Sequence, residues 1–261
     1  MIPELYIQDW KKQATWQTNE QVEQDLIISR AIVEIFSDDF LRNSLSFRGG
    51  TALHKLYITS QIRYSEDIDL VQINAEPIKQ TIDRIRKVLS FLGKPRIKQK
   101  AHNNTLIFRF ESEIPPITSI RLKIEINTRE HLNILGLIEI PFGVNNAWYS
   151  GKCNVKGYSI EELLGTKLKA LYGRKKGRDL FDLYWALTHL NIDTVKVAHC
   201  CTLHYEHAGL KQPTIKQFIR NMEEKLTDNE FTNDIYTVLK PNVEYDNQTA
   251  YELVRRKLIE I

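Results

Sequence analysis

One stretch, Phe47 to Leu70, constrains this chain more than any other. It opens with Phe47-Arg48-Gly49-Gly50-Thr51-Ala52-Leu53-His54-Lys55-Leu56-Tyr57 and closes with Arg63-Tyr64-Ser65-Glu66-Asp67-Ile68-Asp69-Leu70. The first half is a double glycine and a hydroxyl residue at the start of an amphipathic helix. Glycine lets the backbone close up against a ligand, and a helix start offers unpaired N–H groups that suit a phosphate. In the second half Asp67 and Asp69 are spaced i, i+2. On a strand this points both carboxylates to one face and Ile68 and Leu70 to the other. Two carboxylates side by side repel unless a cation lies between them, so the pattern calls for a hard divalent metal. Alone, each half is an ordinary turn or a solvated strand end; in sequence they form a phosphate cradle followed by a metal site.

A third acid is expected from a later strand. Ser119 to Asn127 alternates cleanly, with Ile120, Leu122, Ile124 and Ile126 on one face and Arg121, Lys123, Glu125 and Asn127 on the other. Glu125 is the candidate, with a strand glutamate paired to Lys123 or Arg121 as the alternative. In the next block, Glu162 to Tyr184, Leu164, Leu168 and Leu171 make a core stripe. Lys167 stands at the edge of the neighbouring stripe, while Lys169 is expected to face solvent. Lys167 could neutralise triphosphate charge, or simply snorkel at a core rim.

The string Gly-Gly-Thr-Ala-Leu-x-Lys, then Arg-x-Ser-Glu-Asp-Ile-Asp-Leu, resembles the polymerase-β-like nucleotidyltransferase superfamily, and more narrowly the AbiEii toxins of type IV toxin–antitoxin and abortive-infection systems. Lys167-Leu168, Ala170-Leu171, Arg174 and Arg178-Asp179-Leu180-x-Asp182-Leu183 match the same family's second block. By that resemblance Asp67, Asp69 and Glu125 hold two Mg²⁺ (or Mn²⁺) ions, although the family more often has Asp at the third place. Gly49, Gly50, Thr51, Lys55, Arg63, Ser65 and Asp179 bind the nucleotide, and Lys167 and Asp182 join the catalytic set. The activity implied is metal-dependent transfer of a nucleoside monophosphate from a nucleoside triphosphate to the 3′ hydroxyl of an RNA such as tRNA, with a cognate antitoxin as partner. A small-molecule or protein acceptor, or a non-catalytic nucleotide- or RNA-binding module, is the alternative.

The rest of the chain frames this reading. Its 261 residues carry a net charge of +3, compatible with nucleotide or RNA partners. Three cysteines without framework spacing, no signal-peptide pattern and no apolar run long enough for a bilayer suggest a cytoplasmic protein. Helix signals cover Thr18–Phe36, Thr51–Tyr57, a stretch opened by Pro77, and a series from Ser159 on: Gly177–Leu190, Thr194–His207, Thr214–Leu226, Asp228–Leu239 and Asn247–Ile259. Strands are expected at Leu45–Arg48, Asp67–Ile73, Arg96–Lys100, Leu106–Glu111, Ser119–Asn127 and Leu137–Pro141, with Asn103-Asn104 as a hairpin turn. The fold expected is α+β: a nucleotidyltransferase-type mixed sheet with flanking helices over 1–145, then an all-helical domain over 146–261, with a cleft between the two lobes. His199-Cys200-Cys201 to His204 and His207 have spacings that could hold zinc, but no second ligand pair lies nearby in sequence and cysteine commonly fills cores. Arg174, Lys175, Lys176 and Arg178 are candidates for gripping RNA phosphates; Lys94, Arg96, Lys98 and Lys100 form a second basic stripe.

Overall fold

The computed structural model describes residues 2–261. The chain divides into two compact units: one comprises the chain to His131 together with Leu137–Gly157, the other Leu132–Gly136 and Tyr158–Ile261. The break thus comes at Gly157, beyond the 145/146 position suggested by the glycines.

The first unit begins with helices α1 (Glu4–Lys11), α2 (Asn19–Ser37) and α3 (Asp39–Ser44). Thr18 caps α2 with a reciprocal capping box to Gln21, as the sequence signal requires. The buried stripe of α2, from Val22 through Leu26, Ile28, Ile32 and Phe36, forms much of this unit's core. Strand β1 (Leu45–Arg48) runs straight into α4 (Gly49–Ala52), which continues as a π-helical turn, Leu53–Tyr57. Strand β2 (Asp67–Gln72), α5 (Lys79–Val88), a 3₁₀ turn (Ser90–Leu92) and strands β3 (Arg96–Lys100), β4 (Asn103–Glu111), β5 (Ser119–Asn127), β6 (Leu137–Asn145) and β7 (Ser150–Tyr158) follow.

Among the described residues these seven strands form one mixed sheet in the order β3-β4-β5-β2-β1-β7-β6. β1 pairs antiparallel with β2, β2 runs parallel to β5, and β3, β4 and β5 are antiparallel neighbours. Ile120, Leu122, Ile124 and Ile126 of β5 are buried, as their alternation indicates. Two departures from expectation stand out. Asn103 and Asn104 are not the hairpin turn; they open β4, where Asn103 is level with Lys100 and Asn127, and the turn falls on Ala101-His102. Strand β7 was invisible behind its glycines. Gly157 pairs with Phe47, and a Cβ there would stand 3.0 Å from the Phe47 carbonyl oxygen, so this strand needs glycine at the point of contact.

The second unit contains α6 (Ile160–Gly173), α7 (Gly177–His189), α8 (Thr194–His207), α9 (Ile215–Leu226), α10 (Asn229–Asn233) and α11 (Asn247–Val254), the last running into a π-helical turn, Arg255–Ile259. The helix expected over Asp228–Leu239 is therefore much shorter. Ser159 caps α6 and Thr214 caps α9. Glu162, fully buried, ties the segment 132–136 to this unit: its carboxylate accepts from the backbone N–H groups of Ile134 (2.9 Å) and Leu135 (3.0 Å) and lies 3.1 Å from His204 Nε2. Where α6 meets α8, a Cβ on Gly165 would lie 2.7 Å from Cys200 Cβ. Cys200 and Cys201 are thus core residues, their thiols pushed up to about 12, mainly by burial. No group of three or more His, Cys, Asp or Glu is placed to hold a metal among the described residues, so the zinc spacing around His199–His207 reads as helix packing.

Replacing Gly157 by Val should force β7 off β1. A loss on the order of 1–3 kcal/mol is expected for overpacking at a tight contact, read as a lowered midpoint in thermal or urea unfolding.

Candidate active site

The parallel register of β2 and β5 sets the geometry. Asp67 is level with Lys123 and Asp69 with Glu125, and Asp69 is in turn level with Arg48 of β1. Asp67, Asp69, Lys123 and Glu125 therefore share one sheet face, opposite the buried isoleucines. Gly49 follows β1 directly with φ of +80°, and a Cβ there would collide with the Asp69 carboxylate. The glycine turn is thus pressed against the Asp-x-Asp strand, with glycine required by both the backbone angle and the close approach.

Around this core the sequence-predicted residues separate. Gly50 packs on Arg63, whose guanidinium Nη2 would lie 2.6 Å from a Cβ at that position. Arg63 is buried and donates to the Tyr64 carbonyl at 3.0 Å, so it braces the turn from within. The Thr51 hydroxyl is also spent internally, 2.8 Å from Ser65 Oγ and donating to the Asp67 carbonyl. It fixes the turn to the start of β2. Lys55 departs furthest from expectation. Its ammonium is buried and donates to Asp25 Oδ1 (2.7 Å), Ser29 Oγ (3.1 Å) and Gln61 Oε1 (3.1 Å), which uses all three of its donors. Asp25 also accepts from Trp10 Nε1 at 2.9 Å, so this lysine holds α2 to the turn rather than a phosphate.

Glu125 is on the expected face, but its carboxylate is engaged by an ion pair with Lys123 and by Asn103 Nδ2 at 3.1 Å. Burial raises its proton affinity, yet the hydrogen bonds from Lys123 and Asn103 and the Lys123 charge win, and it lies below its ordinary value. Lys123 Nζ also stands 3.6 Å from Asp67 Oδ2. Burial, then the charges of Asp69, Glu66 and Glu125, against the opposing pull of Lys123, push Asp67 up to about 6. Its Oδ1 is buried without a hydrogen-bond partner. An orphaned carboxylate oxygen, a second carboxylate two residues on and a glycine backbone closing the far side suit an oxygen-ligated divalent cation. Asp67 and Asp69 are the residues that could hold it; Glu125 stands level with them but is held by its own lysine.

The second unit carries the other predicted cluster. Lys167, 7% exposed, lies between two fully buried aspartates, 2.9 Å from Asp179 Oδ1 and 2.6 Å from Asp182 Oδ2. Arg174 adds a fork to Asp179, at 2.7 and 2.9 Å. Burial pushes Asp179 up, but Lys167 and Arg174 outweigh it and hold it below its usual value. Asp179 thus positions Lys167 and Arg174 within the unit. Lys169 does not face solvent; it donates to the His204 carbonyl at 2.7 Å. The basic run after α6 is spent on acids as well: Lys175 pairs with Asp228, Lys176 lies 3.5 Å from Asp234, and Arg178 forks onto Asp234 at 2.9 Å through each of two nitrogens. That run is a set of interhelical ties, not a free polyanion grip. Sequence reasoning missed Lys123 as a member of the site; its one visible signal was its position two residues before Glu125 on an alternating strand.

Comparison with known proteins decides the family. A sequence-family model described as "Nucleotidyl transferase AbiEii toxin, Type IV TA system" matches residues 30–252. The chain belongs to the AbiEii nucleotidyltransferase toxin family. Among solved structures it is similar to MenT4, a nucleotidyltransferase toxin from Mycobacterium tuberculosis, with a TM-score of 0.69 and 16% identity over 96% of this chain and 87% of that one. JHP933 from Helicobacter pylori gives 0.57 and 18% over 93% and 95%. A putative nucleotidyltransferase from H. pylori gives 0.58 and 18% over 93% and 98%. At these identities the likeness establishes the nucleotidyltransferase-like toxin fold. No curated protein matches. Membership of this AbiEii family implies a nucleotide substrate and an antitoxin partner. No helix among the described residues is long and apolar enough to cross a membrane.

Two outcomes follow from the charge arrangement. Lys55→Ala strands the buried Asp25 and should cost about 3–5 kcal/mol in denaturant unfolding, while nucleotide affinity of the folded fraction stays unchanged. Asp67→Asn relieves a crowded, half-buried carboxylate, so at neutral pH its unfolding midpoint should equal or exceed that of the wild type, by up to ~2 kcal/mol after allowing for solvent screening.

Proposed function

We propose that this AbiEii-family toxin transfers a nucleoside monophosphate from a nucleoside triphosphate to the 3′ hydroxyl of an RNA, with tRNA the acceptor to test first, and that the reaction needs Mg²⁺ or Mn²⁺. The observation that carries the reading is the Gly49 turn pressed against Asp69, with Asp67 and Glu125 on the same sheet face. In this reading Asp67 and Asp69 would hold the metal, with Glu125 the third acid of the same face. A bound divalent cation supplies neutralisation of phosphate charge and lowers the proton affinity of the acceptor hydroxyl.

The chain's own residues do the rest. Backbone N–H groups at Gly49 and Gly50 face the triphosphate, because no Cβ stands between them and it. Thr51, Ser65 and Arg63 keep that turn rigid through their internal bonds. Lys123, released from Glu125, is free to meet phosphate oxygens and to balance charge on the leaving pyrophosphate, while Asp179 and Asp182 hold Lys167 in one arrangement within the second unit. An acceptor without phosphates, a small molecule or a protein, is the second reading; the neutralised run Arg174–Arg178 favours it by removing one expected RNA contact.

The test is an incubation of the protein with each labelled nucleoside triphosphate and purified tRNA, its 3′ end intact or blocked by periodate oxidation. Labelling of intact tRNA alone, abolished by chelator and restored by Mg²⁺, is expected. Labelling of both forms equally overturns the 3′-hydroxyl assignment, and labelling of a small molecule or protein in place of RNA favours the second reading. Asp69→Asn should lower transfer by at least about a hundredfold with the unfolding midpoint nearly unchanged.

A further inference from the structure

The strand registers extend the site face well beyond the carboxylates. Residues level with one another on neighbouring strands project to the same side of a sheet. One row runs Asp67, Lys123, Ile107, Arg96, and the next runs Asp69, Glu125, Thr105, Lys98. A third runs Asn127, Asn103, Lys100, and on the opposite flank Arg121 is level with Arg109. The face that carries the acids therefore passes, across β4, to an outer strand on which every side chain of this face is cationic.

These cations differ from the run after α6. Arg96, Lys98, Lys100, Arg109 and Arg121 are exposed, and none forms an ion pair with a carboxylate among the described residues. β3 is an edge strand, so nothing in the sheet covers its far side. Three strand spacings separate β2 from β3, about 14 Å. That is the reach of a few nucleotides of extended single strand, and an unpartnered row of arginine and lysine at that distance complements its phosphates.

We propose that this basic half of the sheet face is the track for the acceptor: a single-stranded nucleic acid end whose phosphates meet Arg96, Lys98 and Lys100 while its terminal hydroxyl reaches Asp67 and Asp69. The proposal rests on the RNA-acceptor reading above and adds the surface that delivers the RNA. Affinity for the acceptor is then electrostatic and steeply salt-dependent, whereas affinity for the nucleoside triphosphate is set at the glycine turn and is independent of β3.

The test replaces Arg96, Lys98 and Lys100 together by Gln, exposed positions where the unfolding midpoint is expected to hold. Transfer of labelled nucleotide to purified tRNA is measured, with KM for tRNA and for the triphosphate determined separately. RNA binding is followed against salt by fluorescence anisotropy. The tRNA KM should rise about tenfold or more, the triphosphate KM should change little, and the log–log salt slope should fall by about 2, since each single-strand phosphate contact contributes roughly 0.7. Lys175→Gln with Lys176→Gln, where the charges are already paired, should alter neither. If the triple variant unfolds, Lys98→Glu alone reads the same change on a smaller scale. Wild-type protein that labels no RNA overturns the RNA-acceptor reading itself. Wild-type protein that labels RNA, beside a triple variant with unchanged tRNA KM and salt slope, overturns the track alone. Loss of binding to a partner protein with RNA kinetics intact also overturns it, and would make β3 a strand-pairing edge.

Discussion

Asp69 of β2 lies level with Glu125 of β5, and Asp67 level with Lys123, because the two strands run parallel in a register fixed by their buried faces. Ile68 and Leu70 on one strand and Ile124 and Ile126 on the other are all buried, and a slip of one residue would turn the apolar set of the slipped strand outward. The hydrophobic core therefore holds the acids at their station. Chemistry and folding are coupled through a pattern of alternation, and the polar face inherits its order from the apolar one. The same alternation carries order outward, across β4 to the basic edge.

Within that frame the site is built from small, local commitments. Gly49 brings the β1–α4 turn against Asp69, and Thr51 and Ser65 lock the turn to the strand. Lys55 and Asp25 fasten α2 beneath it. In the second unit Lys167 is suspended between Asp179 and Asp182, with Arg174 closing the group. Each cluster keeps its long side chains in one arrangement by burying the acids that partner them, so removing one member leaves a charge without compensation.

The parts of this arrangement visible in the sequence are those written in short spacing. Thr18, Ser159 and Thr214 announce their helices through capping, and the isoleucines of β5 announce both the strand and its face. The Asp-x-Asp pair and Glu125 were legible for the same reason. What stayed hidden depends on partners far away in the chain. Lys55 looks like a phosphate ligand until Asp25 is seen beneath it, and Lys175 and Arg178 look free until Asp228 and Asp234 return from more than fifty residues later. β7 was hidden differently: glycine at 143, 151 and 157 reads as a break, yet Gly157 serves close strand contact. In the sequence Lys123 is no more than a possible partner of Glu125, because its alternating position discloses a face but not a distance.

The place of Lys123 bears on how this protein is made in the cell. Sites built wholly of acids or thiolates are often unfolded until their metal arrives, because the ligands repel or lack partners. Here an ammonium from the chain itself occupies the space between Asp67 and Glu125. The fold can therefore close over these acids with part of their charge offset from within the chain.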